Sequence, residues 1–379
     1  RIALNIISFV GTDKSSMVLG FMIATAFLSA FLSNTSTSIM MLPIGIAIIS
    51  QVSSSKKNKE SNFGKVLMLG IAYSASIGGF STLYGTPPNL ILKSNIEQFF
   101  NYTLDFDYWF MMALPLSILL LFICWYYLVN FTFTLSKNEN ISRDQIRVKL
   151  NSLGKIKYEE IIVLLIFIGF VFSLLLKSKL QLIFNSIDDT IIAIFFAILL
   201  FILNTKNRNQ KILNWKDSHK IPWDIILLFG GGLSLAAAMQ GSGLTLWIGE
   251  KLLGLNNISL ILIILIIVFS VNFLTEITSN LATVSMILPV LASLSISLGL
   301  HPFVIMVSAT IAASCAFMLP VATPPNAVVF GSGFLKIKDM VKTGIVMNLI
   351  SIILVSLYVY YIIPIIWDID LTVFPEGFK

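Results

Sequence analysis

Two polar stretches interrupt long apolar sequence, and they constrain the fold more than any other feature. The first covers residues 27–43, where hydrophobic arms flank a run of hydroxyl and amide side chains: Ser29, Ser33, Asn34, Thr35, Ser36, Thr37 and Ser38. A backbone that breaks inside hydrocarbon must be buried in protein or line a wet cavity. Transporters use such a break to place a site near the bilayer midplane, although this stretch alone also fits an ordinary loop between two helices.

A second copy of the stretch, at residues 274–289, favours the transporter site over the ordinary loop. The aligned pairs are Ser33-Asn34 with Ser279-Asn280, Thr37 with Thr283, and Pro43 with Pro289. Each copy is followed by a second matching motif, Gly85-Thr86-Pro87-Pro88-Asn89 in one case and Ala322-Thr323-Pro324-Pro325-Asn326 in the other. Two motifs that occur twice in the same order predict the repeated core of a transporter.

Composition places the chain in a membrane. Apolar residues make up 56% of the 379 residues and charged residues 12%, against about 25% charged in soluble domains. The net charge of +6 does not indicate nucleic-acid binding, because the basic residues lie in short loops between apolar segments. Cys124 and Cys315 lie in apolar helical sequence and form neither a disulfide framework nor a metal-ligand spacing. His219 and His301 lie at predicted loop edges, where we expect surface positions.

The pattern predicts an all-α integral membrane protein with two re-entrant hairpins and two transmembrane helices unwound at Thr-Pro-Pro. Proline removes a backbone donor, so Pro87-Pro88 must interrupt a helix. The predicted units are an interfacial helix end at 1–14, a first repeat core at 15–107 with a hairpin at 15–50 and a broken helix at 64–99, scaffold-type spans at 108–222, a span and a second interfacial helix at 223–257, a second repeat core at 258–335 with a hairpin at 258–298 and a broken helix at 302–333, and a last span and tail at 336–379.

Charge predicts how these units are oriented. If both hairpins are re-entrant, the loops that fall on one side are 51–65, 136–158, 205–220 and 334–343. These loops hold most of the lysine and arginine residues, so the positive-inside rule places them in the cytoplasm. The first hairpin then opens from the cytoplasm and the second from outside, which makes the two repeats inverted. Fully crossing arms would leave the same charge balance.

The chemistry of the two polar stretches favours coupled transport of an anion. The N-terminal ends of half-helices attract anions, whereas C-terminal ends and free carbonyls attract cations. Hydroxyl and amide oxygens suit a hard monovalent cation, and the same groups donate to a carboxylate or a sulfate. Because neither stretch contains Lys or Arg, an anion bound there would be held by dipoles, neutral donors and co-bound cations.

These motifs resemble those of the divalent anion:sodium symporter family, and Pro222-Trp223 with Gly230-Gly231-Gly232 lies in a stretch that is also found there. The resemblance covers nearly the whole chain. It implies transport of succinate, other di- and tricarboxylates, or sulfate, by homodimers in which a transport domain slides against a scaffold as an elevator. Members normally have further helices before the first hairpin, so we expect Arg1 to lie inside a longer protein.

The resemblance also implies site residues. The first Na+ site would use Ser29, Ser33, Asn34 and the carbonyl of Gly85, and the second would use Thr275, Thr278, Asn280 and the carbonyl of Ala322. The substrate would contact Asn34, Thr35, Asn280 and Thr323, with Thr86, Pro87, Ser279 and Pro324 close by. Leu281 stands where the family often has threonine, which removes one possible hydroxyl donor.

Other interpretations of single residues stay open. Ser29, Thr275 and Thr278 could instead hydrogen-bond back to carbonyls of their own helices. Glu276 is an intramembrane acid and therefore a functional candidate, although a structural role is at least as compatible with its position.

Among functions, an intramembrane hydrolase lacks the acid pair or base it would need. A sodium-independent dicarboxylate exchanger is the main rival. A dianion gains more than a monoanion from two nearby cations. We therefore expect a C4-dicarboxylate such as succinate, with sulfate as the runner-up.

Overall fold

A computed structural model of the chain is helical, and the described residues are 1–10, 13–52, 62–133, 135, 150–151, 153–184, 186–206, 210–220, 223–244, 247 and 258–378. Within these ranges the extended pairing is a single isolated bridge between Asn204 and Lys211. The predicted all-helical class is therefore confirmed for the described part of the chain.

The first part of the chain folds into nine helices among the described residues. They are α1 (Ile2–Val10), α2 (Lys14–Ser29), α3 (Asn34–Val52), α4 (Asn62–Phe80), α5 (Pro87–Phe100), α6 (Phe106–Tyr127, continued by a π-helical turn at Leu128–Thr132), α7 (Tyr158–Leu175), α8 (Lys177–Gln181) and α9 (Asp189–Ile202). A short 3₁₀ helix at Trp215–Lys220 leads to the remaining helices.

The later helices repeat much of this order. They are α10 (Trp223–Gly241), α11 (Leu260–Thr275), α12 (Asn280–Leu298), α13 (Pro302–Ala313), α14 (Pro324–Gly331), α15 (Ile337–Tyr361) and α16 (Ile363–Trp367). We call α2–α5 the first half and α11–α14 the second half.

The two halves pack in the same way. In the first half α4 contacts α2 and α3, and in the second half α13 contacts α11 and α12. The later helix α6 packs on α2 and α4, as α15 packs on α11 and α13. The halves also exchange elements, because α14 packs on α3 and α4 while α5 packs on α12 and α13. The contact pattern is that of one unit used twice, and the orientation of each unit in the membrane stays a prediction.

Close backbone approach explains part of this packing. A Cβ on Gly78 would lie 2.2 Å from the carbonyl oxygen of Ala26, so glycine lets α4 contact the backbone of α2. A Cβ on Gly232 of α10 would likewise lie 2.7 Å from Ser285 Oγ of α12 in the second half. Gly230 and Gly231 of the same triplet have open space around a Cβ, so only one of the three glycines serves close packing.

Membrane-length helices are present in the described part of the chain. Five are long and apolar enough to cross a bilayer: Asn62–Phe80, Phe106–Thr132, Tyr158–Leu175, Asn280–Leu298 and Ile337–Tyr361. The first of these is buried inside the protein, whereas α7 is almost entirely exposed on the outside of the bundle. Apolar side chains that face outward from such helices are compatible with lipid contact.

Several sequence expectations shift or fail. Asn34 and Asn280 were expected inside polar breaks, yet each begins a regular helix, because Ser33 and Ser279 supply caps. His301 was expected at the surface, but it is 5% exposed, since it caps α13 against Phe303 and Phe378. The connector at 136–149 and most of the interfacial helix predicted at 244–255 lie outside the described residues.

Candidate functional site

A short turn joins α2 to α3, and we call residues 29–34 the first tip. Ser29 Oγ lies 2.7 Å from Asn34 Oδ1 and 2.7 Å from the carbonyl oxygen of Ala75 on α4. A hydroxyl has one proton, so Ser29 donates to only one of these acceptors at a time. When it donates to Ala75, two oxygen atoms with free lone pairs face each other at the tip.

The second tip, residues 275–280, has the same construction. Thr275 Oγ1 lies 2.6 Å from Asn280 Oδ1 and 3.2 Å from the carbonyl oxygen of Ala313 on α13. The two pairs have the same sequence separation and the same kind of carbonyl as third member. Ser29 and Thr275 are thus engaged across elements, and the alternative of bonding back to their own helices does not describe them.

Thr278 behaves differently from the other predicted Na+ ligands. Its Oγ1 donates to the Leu274 carbonyl at 3.0 Å, one turn back along α11, and lies 2.5 Å from Thr283 Oγ1. Back-bonding to the helix therefore applies to Thr278 in this conformation. Ser33, which the repeat alignment pairs with Ser279, accepts a bond from the Ser36 amide at 3.2 Å and caps α3.

The helix that leaves each tip presents backbone donors. The first amides of α3 belong to Asn34 and Thr35, and those of α12 belong to Asn280 and Leu281. Such amides have no acceptor within their own helix and carry the positive end of its dipole. Leu281 keeps its backbone donor, and its side chain is only 8% exposed. The exchange of threonine for leucine thus removes a hydroxyl without removing the amide at this position.

The Thr-Pro-Pro-Asn motifs lie where helices stop and restart, and we call residues 81–86 the first break and 314–323 the second break. Asn89 Nδ2 donates to the carbonyls of Phe80 and Thr82, at 3.3 and 2.8 Å. Asn326 Nδ2 donates to those of Ala316 and Leu319, at 3.3 and 3.0 Å. Each motif asparagine is fully buried, and its amide donates to two carbonyls at the place where the helix is interrupted.

Thr86 and Thr323 occupy the N-cap positions of the helices that follow the breaks. Both are 3% exposed in extended conformation, and Thr323 Oγ1 accepts from the Asn326 amide at 3.3 Å. Thr86 makes no such cap bond. Pro87 is half-buried and Pro324 is exposed, as are Ser33 and Ser279.

Two glycines allow the first break to lie close to the first tip. A Cβ on Gly79 would lie 2.2 Å from Asn34 Oδ1, and a Cβ on Gly85 would lie 2.8 Å from the Ala30 carbonyl. The Thr82 hydroxyl also donates to the Ala30 carbonyl. Gly85, whose carbonyl is a predicted Na+ ligand, is therefore next to the tip. Gly79 was not singled out from the sequence, since its role depends on a contact across α3 and α4.

Glu276 organises the second break. Its carboxylate accepts three consecutive amides, from Phe317 at 2.7 Å, Met318 at 2.9 Å and Leu319 at 3.0 Å, and also Asn348 Nδ2 at 2.8 Å. It is 2% exposed. Leu319 in turn accepts the Ala322 amide at 3.2 Å, so Glu276 fixes the turn that carries the predicted Ala322 ligand. The structural interpretation of Glu276 is the one that its contacts support.

Asn272 is a further residue whose role was not predicted. Its Nδ2 donates to the carbonyls of Ala312 at 3.4 Å and Cys315 at 2.7 Å, one turn before Thr275. The aligned position in the first half is Ala26, which lies directly against Gly78. In the second half, the Asn272 side chain thus occupies the position between two helices. In the first half, the backbones of Ala26 and Gly78 are in direct contact at the corresponding position. Repeat alignment of Asn272 with Ala26 was the available signal.

The halves meet at these elements. Because α3 packs on α14 and α12 packs on α5, the helix leaving each tip contacts the helix that follows the break of the other half. In the sequence Glu276 is the single charged residue of the two tips. Its carboxylate is hydrogen-bonded to backbone amides of the second break and to Asn348. The described residues contain no group of His, Cys, Asp or Glu suited to a transition metal. The arrangement offers neutral oxygens and helix N-termini instead.

Comparisons with known proteins agree with this construction. A family model described as the sodium:sulfate symporter transmembrane region matches residues 1–367. The sodium-dependent dicarboxylate transporter SdcS of Staphylococcus saprophyticus is 43% identical over 383 residues, covering 98% of this chain and 74% of its own length. SdcS of Staphylococcus aureus strain USA300 is 46% identical over 386 residues, with the same two coverages.

A solved structure shares the fold at low sequence identity. Neisseria gonorrhoeae MtrF, described as illuminating a class of antimetabolite efflux pumps, superposes with a TM-score of 0.54 and 12% identity over 95% of this chain and 81% of that one. The likeness concerns the fold alone. The chain is a membrane transporter rather than an enzyme, and it belongs to the divalent anion:sodium symporter family.

Proposed function

We propose that this protein imports a C4-dicarboxylate such as succinate together with Na+. The first Na+ would be held by Ser29, Ser33, Asn34 and the Gly85 carbonyl, and the second by Thr275, Thr278, Asn280 and the Ala322 carbonyl. The anion would contact Asn34, Thr35, Thr86, Pro87, Ser279, Asn280, Thr323 and Pro324. SdcS proteins carry the name of sodium-dependent dicarboxylate transporters, which supports both the ion and the substrate class.

The observation that carries the proposal is the shared proton at each tip. Ser29 and Thr275 each have an asparagine oxygen and a backbone carbonyl within reach. Turning the hydroxyl proton to the carbonyl frees two oxygens for a cation at no loss of hydrogen bonds. Neutral oxygen ligands suit Na+, because it needs no charged or soft donor. Thr278 would have to release its Leu274 carbonyl to join the second site.

Substrate charge follows from the same arrangement. Neither tip contains a lysine or arginine, so the cations and the helix N-termini are the positive partners of the anion. Their attraction scales with the anion charge and is stronger where water is partly excluded. A dicarboxylate has two ends and can face one tip with each, which favours it over lactate.

We further propose an elevator motion and a homodimer. The core made of both halves would slide against α7–α9 while keeping its site intact. Helix α9 presents an exposed apolar stripe of Ile191, Phe195, Ile198 and Ile202, which suits either lipid or a second copy of the chain. The two re-entrant hairpins and the unwound Thr-Pro-Pro helices belong to the same proposal.

Uptake by proteoliposomes tests the function. Labelled succinate is offered with an inward Na+ gradient and, in parallel, with a matched K+ gradient, while unlabelled succinate, citrate, sulfate and lactate compete. We expect uptake with Na+ alone, strong competition by unlabelled succinate and weak competition by lactate. Equal uptake in K+ would instead indicate the sodium-independent exchanger. Competition by lactate as strong as by succinate would contradict selection by charge.

Sulfate is the second candidate substrate, because the matching family model is named for sodium and sulfate. A compact dianion could bind mainly beside Asn34 and Thr35, where the first tip has the hydroxyl that Leu281 lacks. Competition by sulfate that is stronger than competition by unlabelled succinate would move the assignment to this candidate.

A further inference from the structure

Five polar side chains from four helices and the first break form a compact group, which we call the Asp189 cluster. Asp189 Oδ2 accepts from Tyr84 Oη at 2.7 Å and pairs with Lys93 Nζ at 2.5 Å. Its Oδ1 lies 3.1 Å from Lys177 Nζ, and Lys177 also pairs with Asp105. The two lysines and two aspartates balance in charge.

The members of the cluster come from two different parts of the molecule. Tyr84 belongs to the first break and precedes Gly85, Lys93 lies on α5, and Asp105 occupies the N-cap position of α6. Lys177 begins α8 and Asp189 begins α9. The cluster therefore joins the first half and α6 to the unit made of α7, α8 and α9.

That unit has few other contacts with the first half. Helix α7 packs on α8, α9 and α6, and it is almost wholly exposed elsewhere. A further contact is the edge of Phe167 on α7 against Phe31 in the first tip, with ring centroids 5.1 Å apart. Arg1, which precedes α1, also pairs with Glu160 of α7 at 2.9 Å. The Phe31 contact involves the first tip, and the Asp189 cluster involves the first break, so both reach elements of the candidate site.

Because its charges are buried, the cluster is expected to be either fully paired or fully separated. The side chains of Lys177 and Asp189 are 6% and 7% exposed, and buried charges are tolerated only when paired. Lys93 and Asp105 are 17% and 42% exposed, so water reaches the edge of the group. Separation would expose the charges to water, whereas partial separation would leave them buried and unpaired. The cluster is therefore either closed or fully open.

We propose that the Asp189 cluster is a latch that holds α7–α9 against the first break in this conformation and opens once in every transport cycle. The inference rests on the proposed transport function and names a contact that the moving core has to break. A permanent tie between the same elements would leave the cluster closed throughout the cycle.

Reversible cross-linking of the full-length protein distinguishes a latch from a permanent tie. In a background with Cys124 and Cys315 replaced by alanine, Lys93→Cys is combined with Asp189→Cys and bridged by a short bis-methanethiosulfonate reagent. Lys177 keeps Asp105 as a partner in this variant. We expect the bridged protein to lose Na+-driven succinate uptake, to retain protection from thermal unfolding by Na+ and succinate, and to recover uptake after reduction.

A matched control uses an ion pair inside the core. Lys65 on α4 pairs with Asp339 on α15 at 2.9 Å, and both would move together. The same bridge between Lys65→Cys and Asp339→Cys should leave uptake unchanged. If Lys93→Cys/Asp189→Cys fails to fold, Tyr84→Cys with Lys177→Cys replaces it and leaves the Lys93–Asp189 pair intact.

Two results would overturn the latch. Normal uptake by the bridged Lys93/Asp189 protein would show that transport does not require the contact to open. Loss of succinate protection in that protein would make the cluster part of the binding site. Failure of the proposed function is separate, because the unmodified protein would then show no Na+-driven succinate uptake before any bridge is made.

Discussion

Tyr73 of the first half donates its hydroxyl to the carbonyl of Phe317 in the second break, at 2.8 Å. Both residues are fully buried, and their rings lie 4.9 Å apart between centroids. The Phe317 amide binds Glu276 at 2.7 Å. One residue of the second break is therefore fixed on its two sides by different halves of the molecule, which couples the geometry of the halves.

Tyr73→Phe tests this coupling. The ring contact remains while the Phe317 carbonyl loses its side-chain donor in a buried place, which should cost about 1–3 kcal/mol of unfolding free energy. Thermal unfolding of the purified protein should show a lower midpoint, and uptake should fall because the second break is less fixed. Tyr361→Phe, at a position 60% exposed, is the control. Equal midpoints for the two variants would contradict the coupling.

Asn34→Ala and Asn280→Ala should each abolish Na+-driven uptake while the protein stays folded. Each change removes the oxygen that faces Ser29 or Thr275 at 2.7 or 2.6 Å, and with it one predicted ligand of both cation and anion. Uptake and protection from unfolding by Na+ are the measurements. Asn130→Ala is the control, since this exposed asparagine bonds only to Tyr126 of its own helix at 2.9 Å. Normal uptake by either tip variant would refute the site assignment.

Glu276→Gln should destabilise the protein and weaken Na+ binding at the second tip. The Glu276 carboxylate accepts four hydrogen bonds. In the glutamine variant one of the two oxygens becomes an NH2 group, which cannot accept a bond from the donors that face it. Losing bonds to a charged acceptor should cost about 1.5–3 kcal/mol of unfolding free energy. Thermal unfolding and the Na+ dependence of uptake report the two effects, with the exposed Glu97→Gln as control. An unchanged unfolding midpoint would show that Glu276 does not hold the break.

Gly79→Ala should impair transport through the first tip. The added Cβ would lie 2.2 Å from Asn34 Oδ1, so the asparagine has to shift. We expect a higher Na+ concentration for half-maximal uptake, with the fold retained. Gly241→Ala provides the control, because nothing lies within 4 Å of a Cβ at that position. An unaltered Na+ dependence in Gly79→Ala would mean that the position of Asn34 Oδ1 is not critical.

Helix ends near the repeated motifs could be predicted from the sequence, because the residue types that set them act locally. Proline fits the first turn of a helix, where no amide donor is needed, and Pro87 and Pro324 begin α5 and α14. Ser33 and Ser279 cap the helices that follow them. The helices α4 and α13 end before the predicted Thr-Pro-Pro sites, and the first tip and the second tip have equal length. These features needed no knowledge of distant contacts.

Long-range contacts explain what the sequence did not predict. Glu276 binds amides more than 40 positions away, and Asp189 meets Tyr84 across 105 positions. In the sequence Gly79 is like any other helical glycine, and its role depends on the contact with Asn34 of α3. His301 looked like a loop residue, but Phe378, which is distant in the sequence, packs against it and helps to bury it. None of these partners follows from periodicity or from local spacing.

His301 makes the stability of the protein depend on pH. Burial lowers the pKa of its imidazole from 6.5 to about 4, against a smaller opposite effect of Asp370. Nδ1 accepts the Phe303 amide at 3.2 Å, which requires that nitrogen to be unprotonated. Between pH 4 and 6.5 the unfolded chain binds this proton and the folded protein does not, so stability falls as pH decreases through that window and the effect is complete near pH 4.

His301→Asn isolates this contribution. Asparagine keeps a side-chain oxygen that can cap α13, but it does not titrate. We expect the unfolding midpoint of the unmodified protein to fall more steeply than that of His301→Asn as the pH decreases from 6.5 to 4. Other titrating groups affect both proteins alike, so the difference between the two slopes belongs to His301. Parallel curves would show that His301 is protonated equally in the folded and unfolded states, and therefore that its burial does not govern its charge.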